Sequence, residues 1–308
     1  MPDHRQRVWH SGRVGVDPVE RLLALQQYRH NGARVPHKPL LVLLALQKLA
    51  TTGSSDLAWS EAEDRLAGLI AEFGPTTKTS RPQSAAYPFT RLRADGVWAL
   101  SVDVPDDLVT PLRETDVHGR LDPAIDAALI QDPRRLEGVV RSLVDAQFPS
   151  TIAPDVLLAV GFDPELLAPG LAAVTPEERK RSVAWRDAIV RAWDGACAFC
   201  GYDGSLGGAP VGIEAAHVRW FKVGGPDELD NGLALCSLHH KLFDRGALGL
   251  SPDARVQVSE HFRASGVGKQ VYDLHGRELR PRPGAQLPAP VHVEWHRTQV
   301  FRGDPLAA

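Results

Sequence analysis

The chain has 308 residues, of which 43% are hydrophobic and 24% are charged, and its formal net charge is -3. This balance is typical of a folded globular protein, so it excludes a largely disordered chain, and the length favours two domains over one. No apolar run reaches the roughly 18 residues of a membrane span, and the amino terminus lacks the apolar segment of a secretory signal. We therefore expect a cytoplasmic protein.

Three features of the sequence indicate the first three helices. Asp17 and Pro18 combine an N-cap with a proline at the first helical position, and an amphipathic stretch follows them. The segment from His37 to Lys48 is apolar on nearly every face, which predicts a buried central helix. Ser60 and Glu63 have the spacing of a capping box and predict a third helix, which should end at the Gly-Pro pair of residues 74–75.

The next stretch combines a basic segment with a predicted hairpin. Residues 76–93 contain Lys78 and Arg81 besides two further arginines and have no acid, so a DNA-binding face is compatible with the slightly negative net charge. Asp95 and Gly96 suit a turn between two short strands, residues 88–92 and 97–102. Asp-Pro pairs at 122–123 and 132–133 then each predict the start of a helix.

A domain boundary is expected in residues 161–174, where Pro, Gly and small residues interrupt any periodicity. Thr175 and the Pro-Glu-Glu run after it predict a helix that reaches Trp193. The predicted domains are a DNA-recognition domain over 1–165, a linker with the start of a connecting helix over 166–184, and a second domain over 185–308.

The three cysteines are too few for a disulfide framework, and their spacing points to metal. Cys197 and Cys200 form one pair, and Cys236 and His239 form a second pair with the same gap. Structural zinc takes four such ligands, commonly as two closely spaced pairs. The alternatives are unpaired buried thiols and a redox site, although no thioredoxin-like βαβ pattern surrounds the first pair.

The segments IEAAHVRWF and GGPDELDNG lie between the two pairs, and LALCSLHHKLFDRG contains the second pair. They resemble the HNH motif of the ββα-metal nucleases over roughly residues 185–250. The resemblance implies a metal-dependent DNA endonuclease in which His217 is the general base, Asn231 orients that base, and His240 binds a catalytic Mg²⁺ or Mn²⁺. Zinc would then be structural.

One position departs from the commoner motif. Many HNH enzymes carry a metal ligand directly before the base, where this chain has Ala216. Glu214 shares a strand face with that position and is a candidate replacement ligand; the alternative is a surface carboxylate. Asp244 and Arg245 are expected to cap and brace the closing helix.

Two strand predictions follow the motif. Residues 248–259 alternate around a Pro-Asp turn and predict a strand pair that packs the nuclease core. Residues 291–301 predict a further strand, on which Trp295 serves packing or, less favoured, contacts DNA.

The segments YRHNGARVPHKPLLVLLAL and YPFTRL in the first domain resemble the sulfur-binding domain of McrA-type restriction enzymes of bacterial defence. The resemblance implies recognition of DNA with a phosphorothioate backbone. The residues it brings forward as DNA- or sulfur-binding are Tyr87, Pro88, Arg34, His37, Lys38, Arg91, Arg93 and Arg113. Without it, the Tyr-Pro pair would be interpreted as a packed turn, and His37 as a helix cap.

The sequence thus predicts an α+β protein: a mainly helical DNA-recognition domain followed by a zinc-stapled ββα-metal HNH domain. The function it favours is a type IV restriction endonuclease acting on double-stranded phosphorothioated DNA. The alternatives are an HNH nuclease directed to 5-methylcytosine or unmodified sequence, and a catalytically degenerate, zinc-stabilised DNA-binding protein. A homodimer would suit double-strand cleavage by a single-metal nuclease.

Overall fold

The structure, a computed structural model, describes residues 17–25, 36–75, 84–163, 176–279 and 281–307. These residues fall into two compact units. The N-terminal unit holds the described residues up to Phe148 together with those from Ala153 to 163, and the C-terminal unit holds Pro149–Ile152 and the residues from 176 onward. Most of the predicted boundary segment, residues 164–174, lies outside the described residues, as does the basic loop of residues 76–83.

The N-terminal unit is mainly helical. Its helices are α1 (Pro18–Ala24), α2 (His37–Thr52), α3 (Trp59–Phe73), α4 (Ala86–Arg91), α5 (Val109–Glu114), α6 (Pro123–Gln131), α7 (Pro133–Gln147) and α8 (Ala153–Val160). In the central helix α2 every residue from Pro39 to Leu46 is buried, as its apolar sequence predicts. It ends at Gly53, whose φ of 74° is a left-handed conformation that glycine adopts without strain. The Asp-Pro pairs start α1, α6 and α7 as predicted, with the aspartate side chain capping each helix.

A small antiparallel sheet packs beside these helices. Its strands are β1 (Leu57–Ala58), β2 (Trp98–Leu100) and β3 (His118–Leu121), in the order β1-β3-β2. Leu100 lies opposite Gly119 in the register. A Cβ atom at Gly119 would lie 2.3 Å from the Trp98 ring, so glycine lets the indole pack against the strand.

Two sequence predictions for this unit are wrong. The first half of the expected hairpin, residues 88–92, belongs to α4 and to a short 3-10 helix, Leu92–Asp95. The Asp-Gly pair ends that helical run instead of turning between strands, with Gly96 at a φ of 68°. The expected capping box is also absent, because α3 begins at Trp59, which places Ser60 inside the helix, and the Ser60 hydroxyl pairs with Asp116, 3.1 Å away.

The described C-terminal unit contains three α-helices and three antiparallel strand pairs. Its elements are α9 (Pro176–Ala192), β4 (Ser205–Leu206), β5 (Ala209–Pro210), β6 (Ile213–His217), β7 (Gly232–Cys236), α10 (Ser237–Asp244), β8 (Leu248–Leu250), β9 (Val256–Val258) and α11 (Pro290–Gln299). Strand β6 pairs with β7, and α10 follows β7 directly in the chain, so the three elements form a ββα arrangement. The predicted pair β8–β9 is confirmed. Together with the N-terminal unit, this confirms the α+β class.

The tail of the chain is a helix, so the predicted strand over residues 291–301 is wrong. Pro290 occupies the first turn of α11, where its missing amide hydrogen has no intrahelical acceptor. Trp295 is buried on this helix, with its ring 5.8 Å from the ring of Trp220. The packing interpretation of Trp295 therefore agrees with its place in the structure. Of the helices described, none combines the length and apolarity needed to cross a bilayer.

Candidate active site and metal centres

The ββα arrangement brings both predicted metal-ligand pairs and the three HNH positions into one unit. His217 is the last residue of β6 and lies opposite Gly232, the first residue of β7. At the other end of the pair Ile213 lies opposite Cys236, and α10 starts at the next residue. A Cβ atom at Gly232 would lie 2.2 Å from the Ile189 side chain, so this glycine allows α9 to pack directly on the hairpin.

Cys197, Cys200, Cys236 and His239 form a cluster that could hold a metal ion. Their ligand atoms all lie within 4.8 Å of one another. The Nδ1 atom of His239 is 3.4 Å from the Cys197 sulfur and 3.3 Å from the Cys236 sulfur. A hydrogen bond from the Cys236 thiol lowers the pKa of Cys197, whereas burial raises the pKa of Cys200 and the contact with Cys197 raises the pKa of Cys236. The metal-free cluster therefore favours one thiolate, and metal binding would release the protons of the other two thiols. Three sulfurs and one imidazole nitrogen at this spacing fit a tetrahedral site.

The imidazole of His217 is held on one edge and one face. Its Nε2 atom is 2.8 Å from an oxygen of Asp227, in the loop between β6 and β7. Its ring lies on the indole of Trp185 in α9, with ring centres 3.7 Å apart and planes 11° from parallel. Burial lowers the pKa of His217, while the hydrogen bond and charge of Asp227 act in the opposite direction. The ring is therefore neutral at physiological pH and able to accept a proton.

Asn231 is fully buried, and its side chain ties the two ends of the loop together. Its Oδ1 accepts from the Arg219 amide at 2.8 Å, and its Nδ2 donates to the Arg219 carbonyl at 3.0 Å and to the Pro226 carbonyl at 2.9 Å. The hydrogen bonds thus cross the loop, as the family resemblance implies. They do not reach the His217 ring. Pro226 directly precedes Asp227, so Asn231 is linked to His217 only through the loop that carries Asp227.

His240 lies between two carboxylates. Its Nδ1 atom is 2.7 Å from Glu214 and its Nε2 atom is 3.3 Å from Asp244. Burial alone would lower the pKa of His240, but the charge of Asp244 and the hydrogen bond to Glu214 outweigh it and raise the pKa to about 9. The same contact with His240 lowers the pKa of Glu214, whose other oxygen accepts from Ser237 at 2.6 Å. His240 is therefore a cation at neutral pH.

The pair His239 and His240 point to different sites, because neighbours on a helix differ by about 100° in direction. The first lies among the thiols, and the second lies against Glu214. The charges of His240 and Asp244 both act on the pKa of His217, so the two imidazoles share one electrostatic neighbourhood. The two carboxylates lie against opposite nitrogens of the His240 ring, so a divalent cation that prefers oxygen ligands could take one ring nitrogen together with one of the carboxylates, and it would have to displace the His240 proton.

The sequence alone did not identify all the residues of this site. Asp227 and Trp185 were not predicted, and Asp244 was assigned only a bracing role. Three acids occur in the loop segment DELD, and no spacing rule distinguishes the one that reaches His217. Ala216 is fully buried in the core of the unit, so the position that carries a ligand in commoner HNH motifs faces away from solvent here. Glu214 lies beside His240, where a replacement ligand would be expected.

In the N-terminal unit, three of the predicted DNA-binding residues lie together. The rings of His37 and Tyr87 are 6.1 Å apart and edge to face, and the Arg91 guanidinium lies 5.6 Å from the Tyr87 ring centre. Pro88 is buried, so Tyr87 presents the accessible part of the pair. Arg34 lies outside the described residues. Tyr87 and Pro88 lie in α4 and not in a turn.

Among the described residues, the predicted lysine and arginines of the DNA-binding set are all paired with carboxylates. Lys38 pairs with Asp95. Arg91 binds both oxygens of Asp107, at 2.6 to 3.0 Å. The remaining pairs, Arg93 with Asp103 and Asp106 and Arg113 with Glu63, have distances of 2.7 to 2.9 Å. A phosphate that binds these cations would compete with the carboxylates for them.

Comparison with known proteins finds that two segments of the chain match family models. Residues 17–165 match the model of the ScoMcrA-like DNA sulfur-binding domain, and residues 197–251 match the model of an HNH endonuclease. A comparison with curated proteins finds no match.

Among solved structures, the sulfur-binding domain of ScoMcrA complexed with phosphorothioated DNA is 19% identical, with a TM-score of 0.40; the match covers 48% of this chain and 97% of that one. The sulfur-binding domain of SprMcrA complexed with phosphorothioated DNA is 20% identical, with a TM-score of 0.37, covering 46% of this chain and 91% of that one. The type IV phosphorothioation-dependent restriction endonuclease ScoMcrA is 20% identical, with a TM-score of 0.41, covering 59% of this chain and 35% of that longer protein.

Proposed function

We propose, from the premise that this chain joins a ScoMcrA-like DNA sulfur-binding domain (residues 17–165) to an HNH endonuclease domain (residues 197–251), that it cleaves phosphorothioated DNA. The recognition domain would span residues 1–165 and the nuclease residues 185–308, joined by residues 166–184. Double-stranded DNA carrying a sulfur in its backbone is the proposed substrate.

The nuclease half of the proposal rests on two neighbouring groups: the neutral imidazole of His217, and the residues around His240 that could bind a divalent metal ion. His217 is the proposed general base, because it is neutral and held against Asp227. It takes a proton from water, the water oxygen bonds to phosphorus, and one P–O ester bond breaks, with the leaving oxygen protonated from solvent. His240 and Glu214 would hold Mg²⁺ or Mn²⁺. That ion, when bound, neutralises charge that builds up on the phosphate.

Zinc in the Cys₃His cluster is proposed to be structural. The cluster connects the knuckle after α9 with the start of α10, and all three cysteines of the chain take part. A closed site of four protein ligands leaves no position for water or substrate. Its proposed contribution is to hold α10, and with it His240, at the end of the hairpin.

Physical chemistry supports sulfur recognition by the N-terminal unit. Sulfur in place of a non-bridging oxygen is larger and less strongly hydrated, so it favours an apolar contact next to cations. The described surface offers the Tyr87 ring flanked by His37 and Arg91. The family match to the sulfur-binding domain is what selects this ligand over another DNA modification.

A binding competition tests the recognition half. Two duplexes of identical sequence, one with a single phosphorothioate in each strand and one without, compete for the full chain in gel shifts. We expect a preference of at least tenfold for the sulfur duplex, and equal affinity would refute sulfur recognition. Tyr87→Ala should reduce this preference, whereas His217→Ala should leave it unchanged.

Cleavage of sulfurated and ordinary plasmid with Mn²⁺ or Mg²⁺ tests the nuclease half. We expect products from the sulfurated plasmid with the wild-type chain and none with His217→Ala. Absence of product from either plasmid at any concentration would instead favour a degenerate centre.

A further inference from the structure

We propose that Asp227 is the positioning residue of the nuclease: it keeps the hydrogen of His217 on Nε2, so that Nδ1 is the atom that takes the proton from water. This inference rests on the proposed nuclease function. It adds a residue to His217, Asn231 and His240, because Asp227 lies in the loop between β6 and β7 and is none of these three positions.

The first step of the argument is the identity of the two hydrogen-bonding atoms. Asp227 presents a carboxylate oxygen 2.8 Å from Nε2 of His217, and an ionised carboxylate only accepts hydrogen bonds. The hydrogen must therefore be on Nε2. A neutral imidazole carries one hydrogen, which leaves Nδ1 with a lone pair. Within the described residues no hydrogen bond occupies Nδ1.

The second step is the rigidity of the pair. The side chains of His217 and Asp227 are only 20% and 16% exposed, so water competes weakly for their contact. Trp185 covers one ring face, and its indole nitrogen donates to the carbonyl of Glu228 at 3.1 Å. The same loop that supplies the carboxylate thus also anchors the residue on which the ring lies.

The third step is the support of the loop itself. Asn231 binds the Pro226 carbonyl at 2.9 Å and so holds the residue just before Asp227. Gly225 makes this fold of the loop possible, because a Cβ atom there would lie 1.8 Å from the Arg219 carbonyl oxygen. Asp227 is the one carboxylate in contact with the His217 ring among the described residues, since Glu214 and Asp244 contact His240 instead.

The charge of Asp227 also favours catalysis. The charged and titratable groups that act on His217 are Asp227, Asp244 and His240; both acids favour the protonated ring, and His240 opposes it. As the ring takes up a proton, the adjacent carboxylate stabilises the imidazolium that forms. Loss of that carboxylate therefore makes His217 a weaker base, and it also removes the contact that orients the His217 ring.

The test compares Asp227→Asn with wild type in the full, metal-loaded chain. We expect kcat to fall by about 10² to 10⁴, the range for losing an orienting carboxylate together with general-base efficiency. The acid limb of the pH profile should move to lower pH, because removing a negative charge lowers the pKa of His217. Asp227→Glu should recover part of kcat. Asp304→Asn is the matched control, since it removes the same charge from an exposed side chain at the end of the same unit.

A second readout needs neither DNA nor cleavage. Nitrogen-detected NMR of the His217 ring should show the Nε2–H tautomer in wild type and a mixture of tautomers in Asp227→Asn. An Nδ1–H tautomer in wild type, or kcat of Asp227→Asn within twofold of wild type, would overturn the proposal. A loss of kcat with the acid limb and the tautomer unmoved would also overturn it, by showing a merely structural role. If the wild-type chain cuts no DNA, the proposed nuclease function fails, and the tautomer measurement still decides the role of Asp227.

Discussion

Asn231→Ala separates a structural role of this residue from a direct chemical one. The side chain is fully buried and makes three hydrogen bonds, to the amide and carbonyl of Arg219 and to the carbonyl of Pro226. Each such bond contributes about 0.5–1.5 kcal/mol net to the free energy of unfolding. The alanine variant leaves backbone groups unpaired in the interior, so the loss per bond lies in the upper part of that range. We therefore expect the C-terminal unit to lose roughly 3–4.5 kcal/mol of unfolding free energy. For a unit of this size the midpoint temperature of thermal unfolding should fall by about 10–20 °C.

Calorimetry of the full chain measures this change, and hydrogen exchange localises it. The Arg219 amide should lose its protection, because Asn231 supplies its acceptor. Leu229→Ala is the control: it truncates a side chain in the same loop that is 41% exposed, so it should shift the midpoint by only a few degrees. If Asn231→Ala abolished cleavage while the midpoint and the Arg219 protection stayed at wild-type values, Asn231 would act on the chemistry directly and the loop argument would be wrong.

Three further predictions concern the zinc cluster, the ring stack and the arginine pairs. Cys236→Ser or strong chelation should unfold the C-terminal unit while sulfur-dependent DNA binding survives, as circular dichroism and gel shifts would show; a folded, metal-free unit would contradict it. Trp185→Ala should lower the free energy of unfolding by about 3–5 kcal/mol, as measured by denaturant titration. It should also move the acid limb of the pH profile of cleavage to higher pH, because exposing His217 removes the burial that lowers its pKa. An unmoved acid limb would count against a role for the Trp185–His217 ring stack. Asp107→Asn should strengthen binding to unmodified DNA a few-fold and steepen its salt dependence by up to about one unit, because it frees Arg91 for phosphate; unchanged affinity would mean that Arg91 does not contact DNA.

Local rules predicted most of the helical framework. An Asp-Pro pair places a capping oxygen and a pre-set φ in adjacent positions, so α1, α6 and α7 start where the sequence indicates. The apolar run of α2 could only be stable inside a core. The predictions failed where one local pattern suits two structures. Residues 88–92 and the tail near Trp295 have strand-like composition, yet packing against the rest of their units made both helical.

The sequence by itself predicted the members of the Cys₃His cluster, because closely spaced cysteines and histidines have few other uses and their spacing is a local property. The proposed roles of His217, Asn231 and His240 come from the resemblance to the HNH motif. Tertiary structure alone decided which acid of the DELD segment reaches His217, that Trp185 lies on its ring, and that Asp244 joins Glu214 beside His240. These contacts join residues that are far apart along the chain or within a loop of no regular period, so their distances depend on how α9 and the loop fold over the hairpin. No spacing rule carries that information, since it arises only when the chain has packed.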